Sequence, residues 1–171
     1  MTMEEIIIDK VTVNIGVGEG GEKLEKAKKV LALVTGGNPT ITKVKKINRE
    51  FGIRLDQPIG VKVTLRREDI KKFLDSALWV KNFKGFAYSF STQGTYSFGI
   101  SDYTDFKGMK YNPEIGIFGM DVVITFRRKG GYRVSKRRLR PTKIPEKIRI
   151  KREEMMEYMK KNYNLEILGV D

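Results

Sequence analysis

Three glycines in the segment VTVNIGVGEGGEK, Val11 to Lys23, stand in the order G-x-G-x-x-G: Gly16, Gly18 and Gly21. Between a strand and a helix, that spacing is the fingerprint of a dinucleotide site, where backbone N–H groups at the helix N-terminus hold a pyrophosphate. Here Glu19 and Glu22 flank the helix start. Carboxylates at that end favour the helix dipole but repel phosphate. The ribose-binding acid belongs about 20 residues further on, at the end of the next strand. That region reads Ile41-Thr42-Lys43, with no acid. The phosphate-loop pattern fails as well, because Glu22 stands where its lysine should be. The glycines therefore read as a tight strand-to-helix turn, and no cofactor is expected.

A second candidate is Lys84-Gly85-Phe86-Ala87-Tyr88, which opens like the RNP1 motif of RNA-recognition domains. The likeness stops at Ser89 and Ser91, and the first strand, Val11 to Ile15, has no aromatic to serve as the partner motif. Two uses stay open. The rings could stack on bases in a stand-alone module for single-stranded RNA, or they could pack in the core of a hairpin, which is the expectation here. Other chemistry has few carriers. The chain has no cysteine and no histidine, which removes disulfides, thiolate metal sites and the commonest general base and metal ligand. Glu, Lys or Tyr could still do acid–base work, but an enzyme is the less favoured reading.

The residues that remain for function are basic. The net charge is +13 over 171 residues, and it is localised. Arg127 to Lys151 holds 12 Lys or Arg against Glu146 alone, and Lys43 to Arg54 holds five against Glu50 alone. The rest of the chain is slightly acidic. Two dense basic segments point to a nucleic-acid partner ahead of a membrane surface or mere solubility. No apolar run approaches the roughly 18 residues of a membrane span. The first ten residues, acidic then apolar, do not read as a secretory leader.

These residues need elements to position them. Ile6 to Val17 alternates as a strand, with Val11, Val13 and Ile15 on one face and Lys10, Thr12 and Asn14 on the other. Glu22 to Thr35 reads as a helix with Leu24, Ala27, Leu31 and Val34 on one stripe, ended by Gly36-Gly37. A short strand at Thr40 to Thr42 precedes an aperiodic basic loop. Pro58-Ile59-Gly60 reads as a turn into a strand with Val61, Val63 and Leu65 on one face and Lys62, Thr64 and Arg66 on the other. Glu68 to Val80 is a helix burying Ile70, Phe73, Leu74 and Ala77. Phe86, Tyr88 and Phe90 alternate, as do Tyr96, Phe98 and Ile100, around a hairpin turn at Thr92 to Thr95. Asp121 to Phe126 is a further strand, and the tract from Arg127 should be mostly irregular. Met155, Met156 and Met159 suit packing of a terminal helix over residues 152–163. The expected fold is one α+β domain over residues 1–171, a mainly antiparallel sheet with helices on one face. To it are added a basic loop at 41–54 and an irregular basic extension at 127–151.

Several ordered blocks resemble one family: Val13 to Glu19, Thr35 to Pro39, Phe51 to Arg54, Pro58 to Arg66, Gly94 to Ile100 and Pro113 to Asp121. They are similar to the large-ribosomal-subunit proteins that bind 5S ribosomal RNA. The Pro113 block and Gly131-Tyr132-Arg133-Val134 resemble the archaeal and eukaryotic branch, and the short N-terminus its archaeal form. The resemblance covers about residues 6–138. It implies an antiparallel sheet with helices, without catalytic activity or essential metal, in the central protuberance of cytoplasmic ribosomes. The implied partners are 5S ribosomal RNA, large-subunit ribosomal RNA, another 5S-binding ribosomal protein, the peptidyl-site tRNA and a small-subunit head protein. The family's RNA-contacting Asn and Thr match Asn14 and Thr64, on the polar strand faces already drawn, with Lys10, Thr12 and Lys62 beside them. Bacterial members carry a contacting Gln where this chain has Gly37, so a contact there falls to backbone or to Asn38. The tRNA loop matches Ile41 to Arg54, with Lys43, Lys45, Lys46 and Arg49 on phosphates and Phe51 near its base or tip. Arg133, Lys136, Arg137 and Arg138 would meet ribosomal RNA or the small subunit.

Overall fold

The alternation of β-branched and polar residues after the N-terminus produces the longest strand, β1, Ile6–Gly16. Its Val11, Val13 and Ile15 are buried. The computed structural model describes residues 3–130 and 137–169. After β1 come α1, Glu22–Thr35; β2, Thr40–Lys43; β3, Pro58–Leu65; and α2, Glu68–Val80. Four strands, β4 Lys84–Phe86, β5 Phe90–Ser91, β6 Thr95–Ile100 and β7 Met120–Arg128, lead to α3, Arg152–Tyr163, and β8, Glu166–Leu168. The strands form a six-stranded antiparallel sheet in the order β2-β3-β1-β7-β6-β5, and a separate parallel pair, β4-β8. The expected α+β class is what is seen.

Contacts sort the chain into two compact units. One comprises Thr12–Leu65 and Gly99–Val122. In it α1 packs against β3 through Leu24, Ala27, Val30 and Leu31. Val30 is buried where the sequence pointed to Val34, which is half-buried. The helix stops at Gly36, whose left-handed conformation, φ 64°, turns its N–H onto the Ala32 carbonyl at 2.9 Å. Pro58 starts β3 rather than forming a turn. A first strand position suits a residue with no N–H, and the register shifts beside it, between Thr42 and Lys43.

The other unit takes Arg66–Phe98 with the chain up to Val11 and from Val123 onward. Its α2 buries Ile70, Phe73, Leu74, Ala77 and Leu78, and its α3 buries Met155 and Met159. Phe90 and Tyr96 face each other across the β5–β6 hairpin, rings stacked at 4.2 Å. Phe86, Tyr88 and Phe90 do not share a strand. Residues Ala87–Ser89 form a single 3-10 turn between β4 and β5. Phe86 and Tyr88 are thereby left 48% and 78% exposed, so the expectation that both pack in a hairpin core is overturned.

Candidate nucleic-acid interface

On β3, Val61, Val63 and Leu65 are buried while Lys62 and Thr64 are exposed. On the adjacent β1, Thr12 and Asn14 are half-buried between the buried Val11, Val13 and Ile15. In β2, Thr40 stands opposite Lys62 and extends the row. Gly37, just past α1, lies against the side chains of Val63 and Leu65. Helix α1 therefore packs on the apolar side of β3 and leaves Lys62 and Thr64 exposed. The polar side offers hydroxyls, an amide and an ammonium, which are donors and acceptors suited to sugar and phosphate oxygens. Asn38 is exposed in the connection from α1 to β2. Lys10 is half-buried further back along β1.

The basic segment between β2 and β3 is less irregular than its sequence suggests. Val44 is buried, its N–H donates to the Gln57 carbonyl at 3.0 Å, and its own carbonyl accepts from the Asp56 N–H at 3.3 Å. Further out, Asn48 and Ile53 exchange two backbone bonds of 3.3 and 3.0 Å. The segment thus extends the β2–β3 hairpin, and Arg49 to Gly52 form its tip. Lys43, Lys45, Lys46 and Arg49 are all exposed. Phe51 is at the tip and 75% exposed, which decides between the two positions allowed by the sequence. Lys43 and Lys45 line one groove with Lys62, Thr40 and Asp56. Residues assigned from sequence to two surfaces therefore meet at the root of the hairpin.

The extension after β7 differs from its sequence reading at the start. Arg127, Arg128 and Lys129 are committed to acids rather than held out to a partner. Arg127 Nε lies 2.8 Å from Asp9, which also faces Arg66 at 3.4 Å. Arg128 donates to both oxygens of Glu154 at 3.0 and 2.7 Å, to the Ile148 carbonyl at 3.0 Å and to the Glu4 carbonyl at 2.9 Å. Lys129 bonds Glu5 and holds that carboxyl below its ordinary pKa. The strand runs two residues further than expected because these partners hold its last polar residues in place. Arg137 and Arg138 are exposed, with Arg137 Nε on the Arg140 carbonyl at 3.0 Å. Arg133 and Lys136 lie outside the described residues.

Residues 58–158 match the C-terminus model of the ribosomal L5 family, and residues 2–54 match Ribosomal protein L5. The chain belongs to the ribosomal protein L5 family. It is 57% identical to the large ribosomal subunit protein uL5 of Thermoplasma volcanium over 166 residues, 97% of this chain and 98% of that one. The uL5 protein of Picrophilus torridus is 55% identical over 168 residues, 98% and 96% of the two chains. That of Sulfolobus acidocaldarius is 48% identical over 166 residues, 97% and 93%. These are archaeal proteins, as the motif blocks implied. As a member of the L5 family the chain is a structural component of the large ribosomal subunit and not an enzyme.

Within an L5-family chain the glycine fingerprint has a structural task. Gly18 and Gly21 take φ values of 81° and 95°, in the region that favours glycine. The N–H groups of Val17 and Gly18 both donate to the Ile59 carbonyl, at 3.0 and 2.8 Å. Those donors are spent inside the fold. Glu19 pairs with Lys23 and Glu22 with Lys26 across one helical turn, which lowers the Glu22 pKa and raises that of Lys23. Among the described residues no acidic cluster could hold a metal, and no helix is long and apolar enough to cross a membrane.

Proposed function

We propose that the chain binds 5S ribosomal RNA through the polar side of β1 and β3, in the central protuberance beside another 5S-binding protein. Thr12, Asn14, Lys62 and Thr64 carry the contact, with Lys10 and Asn38 at its margins. The observation that supports this most is the alternation of burial along two neighbouring strands, which leaves a row of polar side chains outside the core on a chain of the L5 family. A sheet face cannot enter the deep, narrow major groove of A-form RNA, so these groups act on sugars and phosphates of a preformed shape. The tip of the β2–β3 hairpin reaches the peptidyl-site tRNA. The extension from Arg137 onward, together with Arg133 and Lys136, contacts large-subunit RNA or the small-subunit head. A stand-alone RRM-like module is the weaker account, because Phe86 lies on the two-stranded pair and not on the broad sheet that such a module uses.

The test is equilibrium binding to 5S RNA at fixed salt. Asn14→Ala and Thr64→Ala each leave unpaired groups at the interface and should cost roughly 1–3 kcal/mol. Full affinity in both variants, with an unaltered circular dichroism spectrum, would move the interface elsewhere.

A further inference from the structure

The RNP1-like segment, Lys84 to Tyr88, takes no part in the surfaces above, yet its geometry is unusual for a solvent-facing stretch. The exposed rings of Phe86 and Tyr88 lie on each other, centroids 5.2 Å apart and planes 19° from parallel. The backbone beneath them is fixed from two sides. Gly85 is packed so tightly that a Cβ there would stand 2.6 Å from the Tyr96 hydroxyl and 3.1 Å from a Leu165 methyl. Arg152, at the start of α3, donates its Nε–H to the Ala87 carbonyl at 2.9 Å. Lys84 is exposed on the same side of β4 as Phe86, with Glu166 its partner across the parallel pair.

We propose that Phe86 and Tyr88 form a stacking platform for one unpaired RNA base, with Lys84 on the adjoining phosphate. Two rings already parallel present a flat outer face that continues a base stack, and ordering them costs little because their backbone is tied down beforehand. Ala87 between them is buried. The net charge of +13 favours a polyanion over a peptide. Every base has an aromatic face, so the platform accepts any of them. It does not depend on which RNA the β1–β3 face holds.

The probe is a single-stranded adenosine oligonucleotide of about ten residues carrying one 2-aminopurine, titrated with the full chain at low salt. The parent should quench the 2-aminopurine on binding. Phe86→Leu with Tyr88→Leu keeps the apolar area but removes the rings, and should weaken binding about five- to a hundredfold and abolish the quench. Tyr88→Phe keeps both rings and should retain both. Because both rings are exposed, thermal unfolding of the leucine variant should match the parent. Absence of quenching by the parent, or parent-like binding by the leucine variant, overturns the platform.

Discussion

Tyr96 is almost fully buried, stacked on Phe90 and abutting Gly85, and burial pushes its phenol up to about 12. Tyr163 is likewise raised to about 12 by burial, with Tyr158 and Asp75 adding to the effect. Free tyrosine ionises near pH 10. The folded state therefore favours the neutral phenols, and their contribution to stability is complete below pH about 10. It is lost as the pH rises from about 10 through about 12, because the unfolded chain releases those protons first. An alkaline titration followed by tyrosinate absorbance and circular dichroism should show these groups ionising late, toward pH about 12, with the fold weakening over the same range. Tyr96→Phe keeps the ring stack and removes one such group, so the alkaline unfolding midpoint should rise. A midpoint that stayed or fell would mean that the Tyr96 phenol is solvated in the native state.

At the scale of elements, periodicity revealed whatever is buried on one side. Val61, Val63 and Leu65 could be separated from Lys62 and Thr64 because a half-buried strand imposes period two, and α1 ended where Gly36 allowed it. The parallel pair β4–β8 was not legible: three-residue strands some 80 positions apart leave no local pattern, and their pairing is tertiary. The aromatic alternation from Phe86 to Phe90 misled for the opposite reason, since a 3-10 turn interrupts it without a proline or glycine to mark the place. The basic tract could not show which of its members had acidic partners far away in sequence, as Arg128 has in Glu154 and Arg127 in Asp9. The hairpin between β2 and β3 divides on the same grounds. Its outer residues, Lys46 on one arm and Arg49 and Phe51 at the tip, do not line the groove that Lys43 and Lys45 share with Lys62. Changing Lys46, Arg49 and Phe51 together to Ala should leave 5S RNA affinity within about threefold, roughly 0.6 kcal/mol, and should weaken retention of peptidyl-site tRNA on reconstituted ribosomes. Loss of 5S affinity with normal tRNA occupancy would assign the whole hairpin to 5S RNA.

For the whole molecule, the net charge of +13 overstates what is offered to RNA at the start of the extension and understates its concentration elsewhere. Arg66, Arg127, Arg128 and Lys129 face Asp9, Glu154 and Glu5. Lys43, Lys45 and Lys62 converge on one groove in which, among the described residues, Asp56 is the only acid. A lysine that neutralises a phosphate releases counterions, so log K against log salt should fall by about 0.7 to 0.9 for each such contact. The parent should therefore show a slope of several units on 5S RNA. Changing Lys43, Lys45 and Lys62 together to Gln should flatten it by about two to three units. Lys129→Gln removes the same formal charge as one of those changes, but from a cation already neutralised by Glu5, and should leave the slope unaltered. Binding isotherms for the three proteins across a salt series separate the two kinds of charge. An equal flattening by Lys129→Gln would mean that the Glu5 pair opens when RNA arrives, and that the strand end at Lys129 belongs to the interface.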